Sequence, residues 1–374
     1  MAETPRRLSL DVFRGLTIAA MVIVDNPGNW STVYAPLLHA EWHGWTPTDF
    51  IFPFFVFILG MSVTLSTRGV QSIPGIVKRA AVILACGFLL AYYVRFDLAT
   101  VRIPGVLFRL ALCSVAASLI YRQVLRVPDD ARLHLVLALT AALLVAYWAL
   151  LTFVPPLGGV AGDLTPSGNL GAWLDRAVFG TAHLWRTAKT WDPEGLLSTL
   201  PAIATALSGV AAGLVLRSGR SDVEKMALYL AAGGAATAAG RLWDARFPIN
   251  KQLWTSSFVL FTSGLAAIAF GICFWVLDVR GRRSALLHPF VVMGMNPLAL
   301  FVMSGFMIKT LLWIKVATGP GTTTSLYNWI YTHAFLPLGL WGPKNTSLAF
   351  ALASLLVLYV PLEIMYRKRI FWRA

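Results

Sequence analysis

His39, Glu41, His43 and Asp49 stand in one short polar segment, directly ahead of the uncharged apolar run 50–67. A run of that length crosses a hydrocarbon core of roughly 30 Å, so the segment sets two imidazoles and two carboxylates at a membrane–water boundary. Imidazole exchanges protons near neutral pH, and a histidine held at such a lip is a candidate proton carrier. Trp42, Trp45 and His43 read most simply as interfacial anchors, because amphipathic rings favour headgroup depth. His39 is the candidate that the rest of the chain must support.

The elements that would hold these groups follow from composition. The 374 residues are 57% hydrophobic and 13% charged, and the mean hydropathy is +0.69, which excludes a soluble domain. A net charge of +14 without a basic tract or zinc-ligand spacing gives no footprint for nucleic acid. Cys86, Cys113 and Cys273 lie in apolar stretches with no CxxC pair, so neither a disulfide framework nor a metal is expected. Asp11 and Arg14 interrupt the apolar stretch after Arg6 and Arg7 and no small-residue cleavage site follows, so the first span is expected to be retained.

Apolar stretches of spanning length run over about 10–24, 50–67, 76–94, 104–121, 133–154, 195–216, 225–240, 254–277, 289–313 and 347–366. Backbone groups in lipid have to be bonded internally, and runs this long favour helices over a barrel. The expected fold is all-α, a polytopic bundle of about ten transmembrane helices. Lys and Arg concentrate in alternate loops, at Arg6 and Arg7, Arg68 and Arg79, Arg126, Arg220, Arg282, and Arg367 to Arg373. Short basic loops mark the cytoplasmic side, so both termini are expected inside and His39 near the outer face. The connection 155–194 is long enough to suggest a folded extracytoplasmic cap. The aromatic stretch 325–341, interrupted by Pro337, reads as interfacial or re-entrant. No internal repeat is evident.

Charges inside or at the lip of spans are the next signal, since one at a helix centre costs roughly 2.5 to 3.5 kcal/mol. Asp11 and Arg14 share a helix face, either as an internal ion pair or as part of an anion site. Arg102 and Arg109 lie seven apart on one face, which suits a phosphate-bearing ligand or separate pairing with carboxylates. Asp192 and Glu194 precede the sixth span and Asn250, Lys251 and Trp254 the eighth; the expected topology puts both groups on the face of His39, Asn26 and Asp49. Asn296 with Pro297 marks a kink in the ninth span.

Several blocks resemble a known family. They are 9–15 with Asp11, Arg14 and Gly15; 39–44 running to Asp49 and then 52–60; 102–109; 192–197; 250–254; and Gly294 to Pro297. Together and in this order they are similar to heparan-α-glucosaminide N-acetyltransferase and its bacterial homologues, and the first block is shared with the wider membrane acyltransferases. The resemblance implies one transmembrane acyltransferase domain over 1–374, in a bacterial cytoplasmic (inner) membrane, that takes an acetyl group from cytosolic acetyl-CoA. The acceptor would be an amine or hydroxyl of an extracytoplasmic sugar or glycan, in the animal enzymes the terminal glucosamine of heparan sulfate.

By the same resemblance His39 matches the catalytic histidine, Asn26 the asparagine ending the first span and Asp49 the aspartate opening the second. Asn26 would orient the imidazole or serve the developing oxyanion, and Asp49 would fix the tautomer. Arg14, Arg109 and Asn296 are expected at acetyl-CoA, and Arg102, Asp192, Glu194, Asn250, Lys251 and Trp254 at the acceptor. Direct transfer and an acetyl-histidine intermediate stay open, as does a homodimer. Animal enzymes carry a further N-terminal lumenal region and span, which this chain is expected to lack, leaving the acyltransfer core and an open acceptor. The competing reading is a secondary transporter for an anionic or sugar substrate, which would gather polar groups at the bilayer midplane; here they gather at helix ends.

Overall fold

The computed structural model describes residues 7–66 and 72–372. Arg6, Arg68 and Arg373 lie outside the described residues. All ten expected stretches are helical: α1 (Leu8–Asp25), α2 (Ile51–Leu65), α3 (Ile73–Tyr92), α4 (Val106–Val124), α5 (Asp129–Phe153), α7 (Thr199–Arg217), α8 (Asp222–Trp243), α9 (Ser256–Phe274), the pair α10 (His288–Met295) and α11 (Pro297–Trp313), and α13 (Pro343–Arg367). Among the described residues seven helices are long and apolar enough to cross a membrane, and the α10–α11 pair, bent by 80°, makes an eighth. The protein is thus an all-α polytopic membrane protein. α1 falls short of that measure through its charges Asp11, Arg14 and Asp25, and α8 carries Asp222, Glu224, Lys225 and Arg241.

The ninth span is two helices because Pro297 supplies no amide hydrogen and Asn296 leaves the helical region at φ −131°. The connection 155–194 folds around α6 (Leu170–Phe179), whose first turn is capped by the Asn169 side chain accepting from Ala172 N at 2.8 Å. The 325–341 stretch forms only short turns, beginning with α12 (Leu326–Ile330), and does not span. An antiparallel hairpin of β1 (Lys315–Gly319) and β2 (Thr322–Ser325) precedes it, an addition to the all-helical expectation.

Close helix approaches hold the bundle, and two of them involve α1 and α2. α2 lies against α7 so tightly that a Cβ at Gly60 would stand 1.8 Å from the Ala206 carbonyl oxygen, and one at Gly209 1.9 Å from that of Phe57. Small residues let helix backbones meet in this way where lipid offers no hydrophobic drive to associate. α1 meets α10 on the same terms, through Gly15 and Gly294. α1 is therefore wedged between two bodies. Its Leu10 and Phe13 pack with Phe57, Met61 and Phe270, and its Ile18 and Val22 with Val292, Leu300 and Leu358. Phe88 and Leu89 of α3, Val145 of α5 and Leu356 and Val360 of α13 face outward, as a lipid-facing belt requires.

Candidate active site

α1 stops at Asp25, and the chain leaves through Asn26 and Pro27 into the segment that carries His39. That segment is fixed by a cap on the head of α2. Thr46 donates its backbone N–H to Asp49 Oδ2 at 2.9 Å and its hydroxyl at 3.1 Å, and Ala40 N adds a third donor at 3.1 Å. Thr46 and Asp49 make a capping box around Pro47 at the first helical position. Asp49 is wholly buried, and with Oδ2 saturated its other oxygen is left for one partner. That partner is His39, with Nδ1 2.7 Å from Oδ1. A carboxylate only accepts, so Nδ1 carries the hydrogen, and in the neutral ring the lone pair is on Nε2.

Lys251 Nζ lies 3.4 Å from that Nε2. It comes from the turn before α9, which Asn250 organises by accepting from Leu253 N at 2.8 Å and donating its own N–H to Thr255 Oγ1 at 3.0 Å. The two segments are laced together: Gly44 N donates to Ile249 O, and the Asn250 amide meets His43 Nδ1 at 3.3 Å. His43 is thus a strut rather than a free anchor, and burial holds its imidazole below the ordinary histidine value. Trp42 is tied to the 155–194 segment, donating to Leu164 O and meeting the Trp191 ring edge-on at 5.0 Å.

The sequence reasoning passed over Asp25, one position before Asn26. It ends α1, and its carboxylate is near enough to interact with the charges of His39, Lys251 and Glu194, which places it at the same mouth. An acid ending an apolar helix beside the matched asparagine was the available signal. Asn26 itself is corrected. Its amide donates to Val22 O at 2.7 Å and to Ser304 Oγ at 3.1 Å, while its Oδ1 has no hydrogen-bond partner among the described residues. It ties the end of α1 to α11 and does not orient the imidazole.

The arginine pair is also corrected. Arg102 is taken by Asp192, through Nε at 2.8 Å and Nη2 at 2.5 Å, and by Glu194 at 2.6 Å. Carboxylate pairing, the other alternative, is what the fold uses for Arg102. Burial pushes the Asp192 carboxyl up, and the neighbouring Glu194 charge adds to it against the pull of Arg102. Glu194 is held low: burial works against this, but Arg102, Arg109 and Lys251 outweigh it. Arg109 is fully buried, donates to Gly195 O and Ser198, and lies over the Trp254 ring at 4.9 Å. Trp254, at φ +55° and 1% exposed, is the floor beneath the mouth and offers no open face to an acceptor.

Arg14 and Asn296 lie at the opposite end of α1. Arg14 donates to Gly294 O at 3.1 Å and Ser62 Oγ at 3.0 Å, with Asp11 at 3.9 Å. It borders a cavity of about 350 Å³ shared with Ser62, Ser66, Met295 and Phe371. Arg79 of α3 is near enough to interact with the Arg14 charge. Asn296 is buried, and its amide is engaged by the backbone of Ile370 and Trp372. It is therefore not turned toward a ligand. Among the described residues no three His, Cys, Asp or Glu side chains are grouped to hold a metal.

A helical bundle with a histidine–aspartate pair at one end and a cavity bordered by Arg14 at the other defines a class, a polytopic membrane protein of all-α architecture. A family model described as "Heparan-alpha-glucosaminide N-acetyltransferase, catalytic" matches residues 6–241. The chain belongs to that family. It is 28% identical over 355 residues to the heparan-alpha-glucosaminide N-acetyltransferase of Homo sapiens, covering 80% of this chain and 53% of that protein. The Mus musculus protein of the same name is 30% identical over 347 residues, covering 78% and 52%. The chain spans about half the length of these curated relatives.

Proposed function

We propose that the chain is a membrane N-acetyltransferase that moves an acetyl group from acetyl-CoA to the amine of an extracytoplasmic amino sugar or glycan. The observation that carries this reading is the His39 imidazole, held through Nδ1 by a buried, otherwise saturated carboxylate and turned with Nε2 toward the open mouth. Family membership supplies the reaction class. The gathering of polar groups at helix ends favours a transferase over a transporter.

In the resting site the Lys251 ammonium occupies Nε2. An acceptor bearing its own ammonium displaces it, favoured by the carboxylates of Asp25 and Glu194. The ammonium gives one proton to solvent at the mouth, and His39 takes a second from the resulting amine as its nitrogen attacks the thioester carbonyl. The carbon–nitrogen bond forms, the carbon–sulfur bond breaks, and the departing thiolate recovers the proton. A positioned base of this kind contributes about 10² to 10⁴-fold. The donor's phosphates sit at the other end, where Arg14 borders the cavity and Arg79 is near enough to interact with the same charge. The Arg14 end then faces the cytoplasm and His39 the outside, in line with the loop charges.

The test compares His39→Ala with His43→Ala for acetyl transfer to glucosamine, with acetyl-CoA binding measured in parallel. His39→Ala should abolish turnover and keep donor binding, while His43→Ala keeps most of both. Substantial turnover by His39→Ala would overturn the mechanism.

A further inference from the structure

Past Arg367 the chain folds back on itself. Arg369 takes φ +56°, the Ile370 N–H returns to Met365 O at 2.8 Å, and the strand that follows is gripped at two points by Asn296. Its Nδ2 donates to Ile370 O at 3.0 Å and its Oδ1 accepts from Trp372 N at 2.8 Å. A single buried amide thus pairs with this strand as a neighbouring backbone would. Between the two gripped residues lies Phe371, which lines the Arg14 cavity and whose ring meets that of Tyr366 at 6.3 Å. The grip is specific to that placement, because it fixes the backbone on either side of one ring.

We infer that this C-terminal strap closes the donor cavity and that Phe371 is a specificity-determining residue for the thioester donor, with Asn296 as the positioning residue that sets it. The inference rests on the reading that the cavity takes acetyl-CoA. Arg14 alone would serve any small anion. An aromatic wall beside a guanidinium selects a ligand that carries apolar or planar bulk next to its phosphates.

Phe371→Ala removes the ring. Trp372→Pro deletes one gripped N–H at an exposed position and leaves buried Asn296 intact, so folding is not at stake. On the purified full chain in detergent, each should weaken acetyl-CoA binding about tenfold by calorimetry, while the melting temperature and the KM for the amine acceptor hold. Phe371→Tyr should restore binding. A cysteine at position 371, followed by site-resolved mass spectrometry, should be shielded from maleimide by acetyl-CoA and not by glucosamine. If the parent binds and transfers while both variants keep its donor affinity within about twofold, the strap has no such role. A parent that binds no acetyl-CoA would remove the functional reading and this one with it.

Discussion

At the scale of single residues, Asp49 does its work by having only one oxygen to spare. Three donors hold Oδ2, and Oδ1 dictates which imidazole nitrogen bears hydrogen. Asp49→Asn keeps the size of the side chain but offers either an amide N–H or a weaker acceptor to Nδ1. Turnover should fall by about 10² to 10⁴-fold, with acetyl-CoA affinity unchanged; steady-state kinetics beside calorimetry would check it. This pair was legible in the sequence because both residues lie in one segment ahead of an apolar run. Lys251 was legible only as one of several groups on the same face. Asp25 was not singled out, since an acid at a helix end ordinarily suggests a solvated terminus. The pairing of Arg102 was open for a related reason: spacing places two arginines on one face, but their partners come from a loop ninety residues later.

At the scale of elements, long apolar helices and the break at Pro297 are visible in composition and in a missing amide hydrogen. The β1–β2 hairpin was harder to see, its signals being no more than Gly319, Pro320 and Gly321 followed by three threonines. Close packing of α2 on α7 leaves its mark only as three glycines among thirty, Gly60, Gly209 and Gly213. Gly60→Ala should lower the melting temperature in detergent markedly, by the roughly 1 to 3 kcal/mol that overpacking costs. Gly219→Ala, with open space around it, should not. In the 155–194 segment, burial raises Asp175 to about 6 while it accepts from Leu196 N at 2.8 Å. Its folded value lies above the unfolded one, so the folded state binds more protons between the two. Stability should therefore fall as pH rises from about 4 to about 6, by ~3 kcal/mol. Melting curves across that range should flatten in Asp175→Asn.

At the scale of the whole molecule, the two ends of α1 carry different chemistry, and the orientation proposed for them can be checked directly. Cysteines introduced at positions 126 and 282 should react only with reagent applied from the cytoplasm, and one at position 39 only from outside. Labelling of position 39 from the cytoplasm alone would invert the scheme. The side on which each end lies was argued from loop charges, which report on insertion and not on contacts, so no feature of the packing substitutes for that measurement.

α1 is also a ruler. Arg14 and Asp25 stand on one unbroken helix, wedged on both sides, and eleven residues at 1.5 Å each separate them by about 16 Å along its axis. A donor anchored by phosphate at one end must carry its acyl group across that fixed span. Thioesters with the anionic head but a shortened arm should therefore occupy the cavity, compete with acetyl-CoA, and transfer nothing. Reactivity would depend on the length of the donor, with a threshold set by the helix and independent of the intrinsic lability of the thioester bond.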